Sequence, residues 1–356
     1  MKVLVGMSGG VDSTVAALLL KQAGHEVIGA TMNIWDNSDT FRNLTGKGCF
    51  SSHEEDISIA REVCQKLDIE HLVIDCTKQF TNTVLENFRS EYKSGRTPNP
   101  CVVCNSKIKF NVLPEAAQSQ GIKFDKFATG HYARLEFNSQ TNMHQILRGL
   151  DEKKDQSYFL YRLTQEQLSQ IMLPLGDKTK EEIRQLATKA GLSVSNKPDS
   201  QDFYTGKLND ILQFEPKKGS FINQQGKILG YHQGFWNFTI GQRRGLGISA
   251  DQPLYVIDII KGTNQVVVGY TKECLQTKLI ASDWIWQIPA PTSKINCQAR
   301  IRSSQVPVEA YVENIDCDNF MVSFLIPQSA ITPGQSVVLY DNDKLLGGGI
   351  IDKQTA

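Results

Sequence analysis

Val3-Leu4-Val5-Gly6-Met7-Ser8-Gly9-Gly10-Val11-Asp12-Ser13 is the stretch that decides how this chain folds. Three apolar β-formers read as a buried strand, and Thr14 to Ala23 continues as a helix that Gly24 is placed to stop. Between them, two adjacent glycines let the backbone come close to an anion with its N–H groups forward. The first turn of the helix adds partial positive charge at the same place. Ser8 and Ser13 supply hydroxyls. Asp12 repels a phosphate, which leaves it Mg²⁺ coordination or helix capping. The loop has neither the lysine of the Walker type nor the G-x-G-x-x-G of dinucleotide sites.

Outward from this loop, strand and helix patterns alternate. Val27 to Ala30 reads as a strand, Ile57, Ala60, Cys64 and Leu67 recur at helical spacing, and Leu72-Val73-Ile74 is the next strand. Phe80, Val84, Phe88 and Tyr92 form a second helical stripe, a helix re-enters near Ser106, and Phe127-Ala128-Thr129 reads as a further strand. Such alternation predicts an α/β domain with a parallel sheet and helices on both faces. Thr179 and Glu182 have capping-box spacing before Ile183, Leu186 and Ala190, in what reads as the last clear helix, with Gly191 to end it. From about Gly219 the period changes to two. Leu254 to Ile257 and Val266 to Val268 flank a Gly262-Thr263-Asn264 turn. Ile295, Cys297, Ala299 and Ile301, then Val306, Val308, Ala310 and Val312, then Phe320, Val322 and Phe324 alternate with polar neighbours. The last third is therefore antiparallel and barrel-like. The divisions expected are 1–210 for the α/β domain, 211–275 for a small central β domain, and 276–356 for a C-terminal β-barrel.

Composition sets limits. With 356 residues, 40% of them hydrophobic, the chain is long enough for two or three cores. Lys plus Arg (38) balances Asp plus Glu (38), so a nucleic-acid partner has to be argued from local clusters. Val15 to Leu20 is too short to span a bilayer, and no signal-peptide pattern precedes Asp12. The reading is a cytoplasmic protein with no membrane partner, whose eight cysteines are reduced thiols, metal ligands or catalytic groups.

Ser-Gly-Gly-x-Asp-Ser after an N-terminal strand resembles the PP-loop of ATP pyrophosphatases, which cleave ATP between its α and β phosphates and adenylate a carbonyl oxygen. A second segment narrows the choice: Thr97-Pro98-Asn99-Pro100-Cys101-Val102-Val103-Cys104-Asn105 stiffens a loop with prolines and places C-x-x-C on entry to a helix. A helix N-terminus lowers a thiol pKa and favours the nucleophilic thiolate. A zinc knuckle would need a second such pair, and Cys274, Cys297 and Cys317 are isolated.

With Ala128-Thr129-Gly130-His131-Tyr132-Ala133-Arg134, Lys154-Asp155-Gln156-Ser157-Tyr158-Phe159-Leu160, Gly241-Gln242-Arg243-Arg244-Gly245-Leu246-Gly247 and Thr332-Pro333-Gly334-Gln335-Ser336, the chain resembles the tRNA-specific 2-thiouridylase family along its whole length. The resemblance implies a tRNA-uridine 2-sulfurtransferase acting on C2 of wobble uridine 34 in tRNAs for Lys, Glu and Gln. ATP adenylates the C2 oxygen, and enzyme-borne sulfur displaces AMP. It implies that Gly6, Met7, Ser8, Gly9, Gly10, Val11, Asp12 and Ser13, with Met32 and Gly130, bind ATP and its Mg²⁺. Asn99, Pro100 and Cys101 would meet the target base, with His131 and Gln335 close by. Lys154, Asp155, Gln156, Arg300 and Ile301 would contact tRNA, and Cys104 is the nucleophile. Lys107 with Lys109, Lys153 with Lys154, Lys217 with Lys218, Arg243 with Arg244, and Arg300 with Arg302 form basic spots that could follow the anticodon arm. A PP-loop amide synthetase with a β appendage is the alternative from another class.

One departure stands out. The family places a second, persulfide-bearing cysteine where Asp199-Ser200-Gln201-Asp202-Phe203-Tyr204-Thr205 carries Tyr204, and no cysteine lies between Cys104 and Cys274. Three readings remain open. Cys101 and Cys104 share the sulfur work. Alternatively, Cys101, Cys104 and Cys49 ligate a [4Fe–4S] cluster whose open iron holds hydrosulfide. In the third, thiolation is lost and the chain only binds tRNA and ATP. The sulfur donor would be a cysteine desulfurase relay or sulfide.

Overall fold

A computed structural model describes residues 1–35, 48–50, 54–197, 203–316 and 318–352 of the chain. Residues 199–202 of the Tyr204 stretch and Cys317 lie outside the described residues. Two compact units form: Met1–Val84, Pro100–Gly206 and Asp343–Leu345 make the first, and Leu85–Asn99, Lys207–Asn342 and Leu346–Ala356 the second.

In the first unit β1 (Lys2–Gly6), α1 (Val11–Gln22), β2 (Glu26–Asn33), α2 (Glu54–Lys66) and β3 (Glu70–Asp75) alternate as the sequence predicts. After them come α3 (Thr77–Phe80), a wider π-helical stretch, α4 (Glu86–Lys93, part of the second unit), α5 (Pro100–Cys104), a second π-helical stretch over Asn105–Val112 and α6 (Leu113–Ser119). Next are β4 (Lys126–Ala128), the hairpin of β5 (Ala133–Asn138) and β6 (Met143–Arg148), α7 (Gln165–Gln170), β7 (Ile171–Met172) and α8 (Lys180–Lys189). The sheet runs β3-β2-β1-β4-β7 with every pairing parallel. Val3 and Val5 of β1 pack into one core with Val15 and Ala16 of α1, Ala60 and Val63 of α2, and Ile183 and Ala187 of α8. Phe127 meets Phe110 edge-on at 5.7 Å, so helical residues cover the other face too. Strand order reverses between β1 and β4, and the loops after these two strands therefore border the crevice where open α/β sheets bind ligands.

The second unit contains α9 (Leu208–Leu212), a short helix that the sequence reading passes over. β8 (Gly219–Ile222), β9 (Ile228–His232), β10 (Tyr255–Ile260) and β11 (Gln265–Gly269) make a sheet in the order β10-β11-β8-β9. The β10–β11 hairpin turns where Gly262-Thr263-Asn264 predicts it, with Asn264 at φ 54°. Six further strands, β12 (Leu275–Trp286), β13 (Ile295–Arg300), β14 (Val308–Asn314), β15 (Phe320–Ser329), β16 (Ser336–Asp341) and β17 (Lys344–Ile351), pair in the order β12-β15-β14-β13-β16-β17, and β17 pairs back to β12. Closure removes the free edges that an open sheet would leave. Cys297, Ala299, Ile301, Ala310, Val312, Phe320, Val322 and Phe324 fill the barrel core in the expected alternation. Val306 does not: it precedes β14 and is 77% exposed.

Candidate active site

The phosphate loop takes its shape from its own small residues. Gly9 adopts φ +67°, and a Cβ there would lie 2.6 Å from the Asp56 carbonyl oxygen at the start of α2. Ser13 Oγ accepts from Ser8 N–H at 3.1 Å and donates to Gly10 C=O at 3.2 Å, which closes the loop on itself. Lys197 Nζ donates to Gly9 C=O at 3.0 Å and pairs with Asp56 at 2.6 Å, bracing the outer side. Gly130 follows β4, and a Cβ on it would fall 2.6 Å from Asp12 C and 2.7 Å from Ser13 N. Only glycine allows that approach. Met32 is half-buried at the end of β2.

Asp12 is not the helix cap: Gly10 occupies the N-cap position of α1 without any side-chain cap. Its carboxylate instead accepts from Lys180 Nζ at 2.7 Å (Oδ1) and 2.8 Å (Oδ2), and from Tyr132 Oη at 2.7 Å. Lys180 is 8% exposed and is the first residue of α8, which Thr179 and Glu182 cap reciprocally as their spacing predicts. The cation that the loop lacks thus arrives from 168 residues downstream. Sequence reasoning missed both Lys180 and Tyr132. The capping box gave the position of the helix start but not what it points at.

Tyr132 is held by the motif expected to touch tRNA. Gln156 Oε1 accepts from Tyr132 N–H at 3.0 Å, and Gln156 N–H donates to Tyr132 C=O at 2.8 Å. Asp155 is 8% exposed and accepts from Gly149 N–H at 2.9 Å and from Ser157 N–H and Oγ–H at 3.1 Å. Gln156 thus holds Tyr132 and Asp155 ties Gly149 to Ser157, while Lys154 is half-buried beside them in sequence. His131, 9% exposed, shares a 2.7 Å hydrogen bond between its Nδ1 and Thr129 Oγ1 and rests against the Phe110 ring. Burial, with Lys109 second, holds it well below the usual histidine range, so it is a neutral core imidazole.

Cys101 and Cys104 lie one turn apart on α5, both half-buried. The helix start does not activate Cys104. Surrounding protein pushes its thiol up to about 11; Lys109 opposes this and the nearby Cys49 adds to it. Desolvation is the largest influence and outweighs the opposing Lys109 charge. Among the described residues no group of three or more His, Cys, Asp or Glu side chains is gathered closely enough to hold a metal ion. Cys49, Cys101 and Cys104 therefore do not form the ligand set an iron–sulfur cluster needs. Tyr204 is half-buried, its phenol lying against Gly206.

In the second unit, Gln335 Nε2 donates to the Thr97 and Pro98 carbonyls at 2.9 Å each, and Thr97 N–H donates to Pro333 C=O at 2.8 Å. The Thr332–Gln335 turn thereby clasps the segment leading to Asn99, which is half-buried. Arg300 and Ile301 are each 3% exposed, Arg300 lying over the Tyr340 ring at 5.3 Å. Arg302 donates to Ile240 C=O, Ala330 C=O and Thr332 Oγ1. Ile301 thus lies in the barrel core, and Arg300 is buried on the other face of β13 against Tyr340. Lys107, Lys153, Lys217, Lys218, Arg243 and Arg244 are exposed.

A strand, a glycine loop and a helix at a sheet's switch point, with an acidic loop residue balanced by a lysine, define an ATP-pyrophosphatase-type α/β domain. Residues 1–204 match the family model for the tRNA methyl transferase HUP domain, 207–270 that for the tRNA methyl transferase PRC-barrel domain, and 276–351 that for the aminomethyltransferase beta-barrel domain. The chain is 47% identical over 355 residues to a protein of Endomicrobium trichonymphae named tRNA-specific 2-thiouridylase MnmA, covering 99% of both chains. Its identity to the protein of that name from Carboxydothermus hydrogenoformans is 45% over 364 residues, covering 99% of this chain and 98% of the relative. The chain belongs to the MnmA family of tRNA-specific 2-thiouridylases. Among the described residues no helix is long and apolar enough to cross a membrane.

Proposed function

We propose that the chain is a cytoplasmic tRNA-uridine 2-sulfurtransferase that adenylates and then thiolates C2 of wobble uridine 34 in tRNAs for Lys, Glu and Gln. One observation carries this reading. The phosphate loop, its counter-cation Lys180 and the nucleophile candidate Cys104 belong to one compact unit, in a chain alignable end to end with relatives of that name. The C2 oxygen attacks the α-phosphorus of ATP, pyrophosphate leaves, and the oxygen becomes part of an AMP leaving group. Sulfur then bonds to C2 as AMP departs. Backbone N–H groups of residues 6–13 and Lys180 hold the departing pyrophosphate. Asp12 fits Mg²⁺ carried by the nucleotide, since among the described residues its Oδ2 accepts only from Lys180 and Mg²⁺ takes few protein carboxylates. Cys104 delivers sulfur, with Cys101 one turn earlier beside the base and Asn99, Pro100 and Gln335 shaping the approach. The exposed Lys107 and Lys153 of the 1–210 division and Lys217, Lys218, Arg243 and Arg244 of the 211–275 division follow the phosphates of the anticodon arm, with 276–356 as the C-terminal barrel.

The test is 2-thiouridine formation with purified protein, ATP, sulfide and a uridine-34 tRNA, read by nucleoside mass spectrometry beside pyrophosphate release. Release stimulated by that tRNA, with 2-thiouridine appearing, is the expected result. Release without tRNA, and no thionucleoside, would point to an amide synthetase and overturn the reading.

A further inference from the structure

Two consecutive glycines make the softest peptide of the phosphate loop. Glycine takes positive and negative φ about equally well, so the Gly9–Gly10 peptide can turn over at little cost. A peptide unit is planar and trans, with its C=O and N–H pointing opposite ways. The group that holds Gly9 C=O therefore aims Gly10 N–H. Neighbouring groups are fixed from within the loop: Ser8 N–H donates to Ser13 Oγ at 3.1 Å, and Gly10 C=O accepts from Ser13 Oγ at 3.2 Å and from Thr14 N–H at 3.3 Å. Gly9 C=O is held from outside. Among the described residues its one donor is Lys197 Nζ, at 3.0 Å.

Lys197 is itself well seated. Its ammonium pairs with Asp56 at 2.6 Å, where the start of α2 packs on Gly9. Its carbonyl accepts from Arg184 Nη2 at 3.2 Å, and Arg184 Nη1 donates to Ser195 C=O at 2.6 Å. The short turn before it, Ser193–Asn196, is docked by Val194 into the core that holds Ile183 and Ala187 of α8. Arg184 stands four residues after Lys180 on α8. One helix thus carries both the cation that meets Asp12 and the cation that seats Lys197. Gly10 N–H has no acceptor among the described residues and opens the first turn of α1, where the helix dipole favours an anion.

Resting on the reading that residues 6–13 hold the departing pyrophosphate, we propose that Lys197 is a positioning residue for adenylation. Its ammonium keeps Gly9 C=O turned away from the cradle and so keeps Gly10 N–H aimed at the phosphates. It acts through the backbone, since its own charge already meets the Gly9 carbonyl and Asp56. Without that hold the Gly9–Gly10 peptide turns, and a carbonyl oxygen faces the polyanion in place of an N–H. Lys180 has a different task, because its partner is the Asp12 side chain and not the loop backbone.

The probes are inorganic pyrophosphate and ATP with Mg²⁺, titrated calorimetrically into full-length protein whose folding is checked by thermal melting. Lys197→Met should bind both about 10-fold more weakly, the loss of roughly one charge-assisted hydrogen bond, and Lys197→Arg should recover most of the difference. Removing an ammonium also lowers the local positive potential, so Lys197→Met is combined with Asp56→Ala, which restores the net charge. The deficit should persist in the double variant; wild-type affinity there would reduce Lys197 to a charge and overturn the proposal. Asp56→Ala alone, which serves even if Lys197→Met fails to fold, loosens the ammonium and should weaken pyrophosphate binding although a negative charge is gone. Tighter binding would mean that the freed ammonium meets phosphate itself, and would overturn the proposal too. Peptide orientation is read by NMR: glycine labelled with ¹³C at the carbonyl and ¹⁵N selects Gly-Gly peptides, which the chain has only at 9–10 and within 347–349. Pyrophosphate should move the Gly10 amide proton downfield in wild type and much less in Lys197→Met. An equal shift in both proteins, or equal pyrophosphate affinity, overturns the proposal while leaving the loop's reading intact. Wild type that binds neither probe overturns that reading and this proposal with it.

Discussion

Lys180→Met keeps the unbranched stem of the side chain and deletes its ammonium. In the resting protein this strands Asp12, whose carboxylate keeps, among the described residues, only the Tyr132 hydroxyl at 2.7 Å. The pair is partly shielded, with side chains 11% and 30% exposed, so the loss of stability should be about 1–2 kcal/mol, toward the low end of the range for a stranded buried acceptor. The effect on ATP is separate. If the ammonium turns from Asp12 to the phosphates, its deletion removes one charge-assisted hydrogen bond of about 1.5–3 kcal/mol. That corresponds to a Kd for ATP raised about 10- to 100-fold. Titration calorimetry with ATP, on protein checked by thermal melting, gives both numbers. Lys180→Arg should recover part of the affinity. Asp12→Asn combined with Lys180→Met separates the two roles: a lysine that only neutralises Asp12 becomes dispensable once Asp12 is uncharged, whereas a phosphate ligand does not. An ATP Kd unchanged in Lys180→Met would refute the assignment.

Gly130→Ala should destabilise the protein by about 1–3 kcal/mol, because the new methyl group meets backbone rather than a movable side chain. Urea unfolding should show a lower midpoint at unchanged slope, and a midpoint equal to wild type would contradict the close approach to Asp12 and Ser13. His131 supplies a pH test. Its native pKa is depressed, so below the unfolded value of about 6.5 the unfolded chain binds a proton that the buried ring refuses. Stability should fall as pH drops through that value, and His131→Gln should flatten the slope of the urea midpoint against pH. An identical slope in the variant would mean that another group titrates there.

The fold was legible because its signals are local. Apolar runs, the glycine loop, the Thr179–Glu182 cap and the period-two stretches each specify backbone within a few residues, and the corresponding strands, helices and barrel follow. The site was legible only where chemistry sits in one loop. Lys180 reaches Asp12 across 168 residues, and no spacing rule joins them. The burial of Arg300 was hidden for a different reason. Alternation correctly puts it on the opposite face of β13 from Ala299, but alternation does not report that this face is covered, here in part by Tyr340. Lys154-Asp155-Gln156 has the polarity of a contact surface, yet two of its three side chains are spent on backbone groups beneath it.

The reach of Lys180 to Asp12 has a consequence for catalysis. A loop bearing Asp12 opposes the polyanion it must hold, and a lysine built into the loop would cure that locally. Here the cure is distributed: α8 brings the ammonium, and Tyr132, pinned at its backbone by Gln156, fixes the carboxylate that receives it. Charge at the cradle is therefore balanced before ATP arrives, and binding exchanges one partner of Lys180 for another rather than stripping water from a free ammonium. The sulfur side has the reverse arrangement. Burial pushes the Cys104 thiol up to about 11, which keeps it protonated near neutral pH. A cradle charged in advance and a thiol held silent together favour adenylation before sulfur transfer, since only an activated C2 offers the sulfur a leaving group to displace.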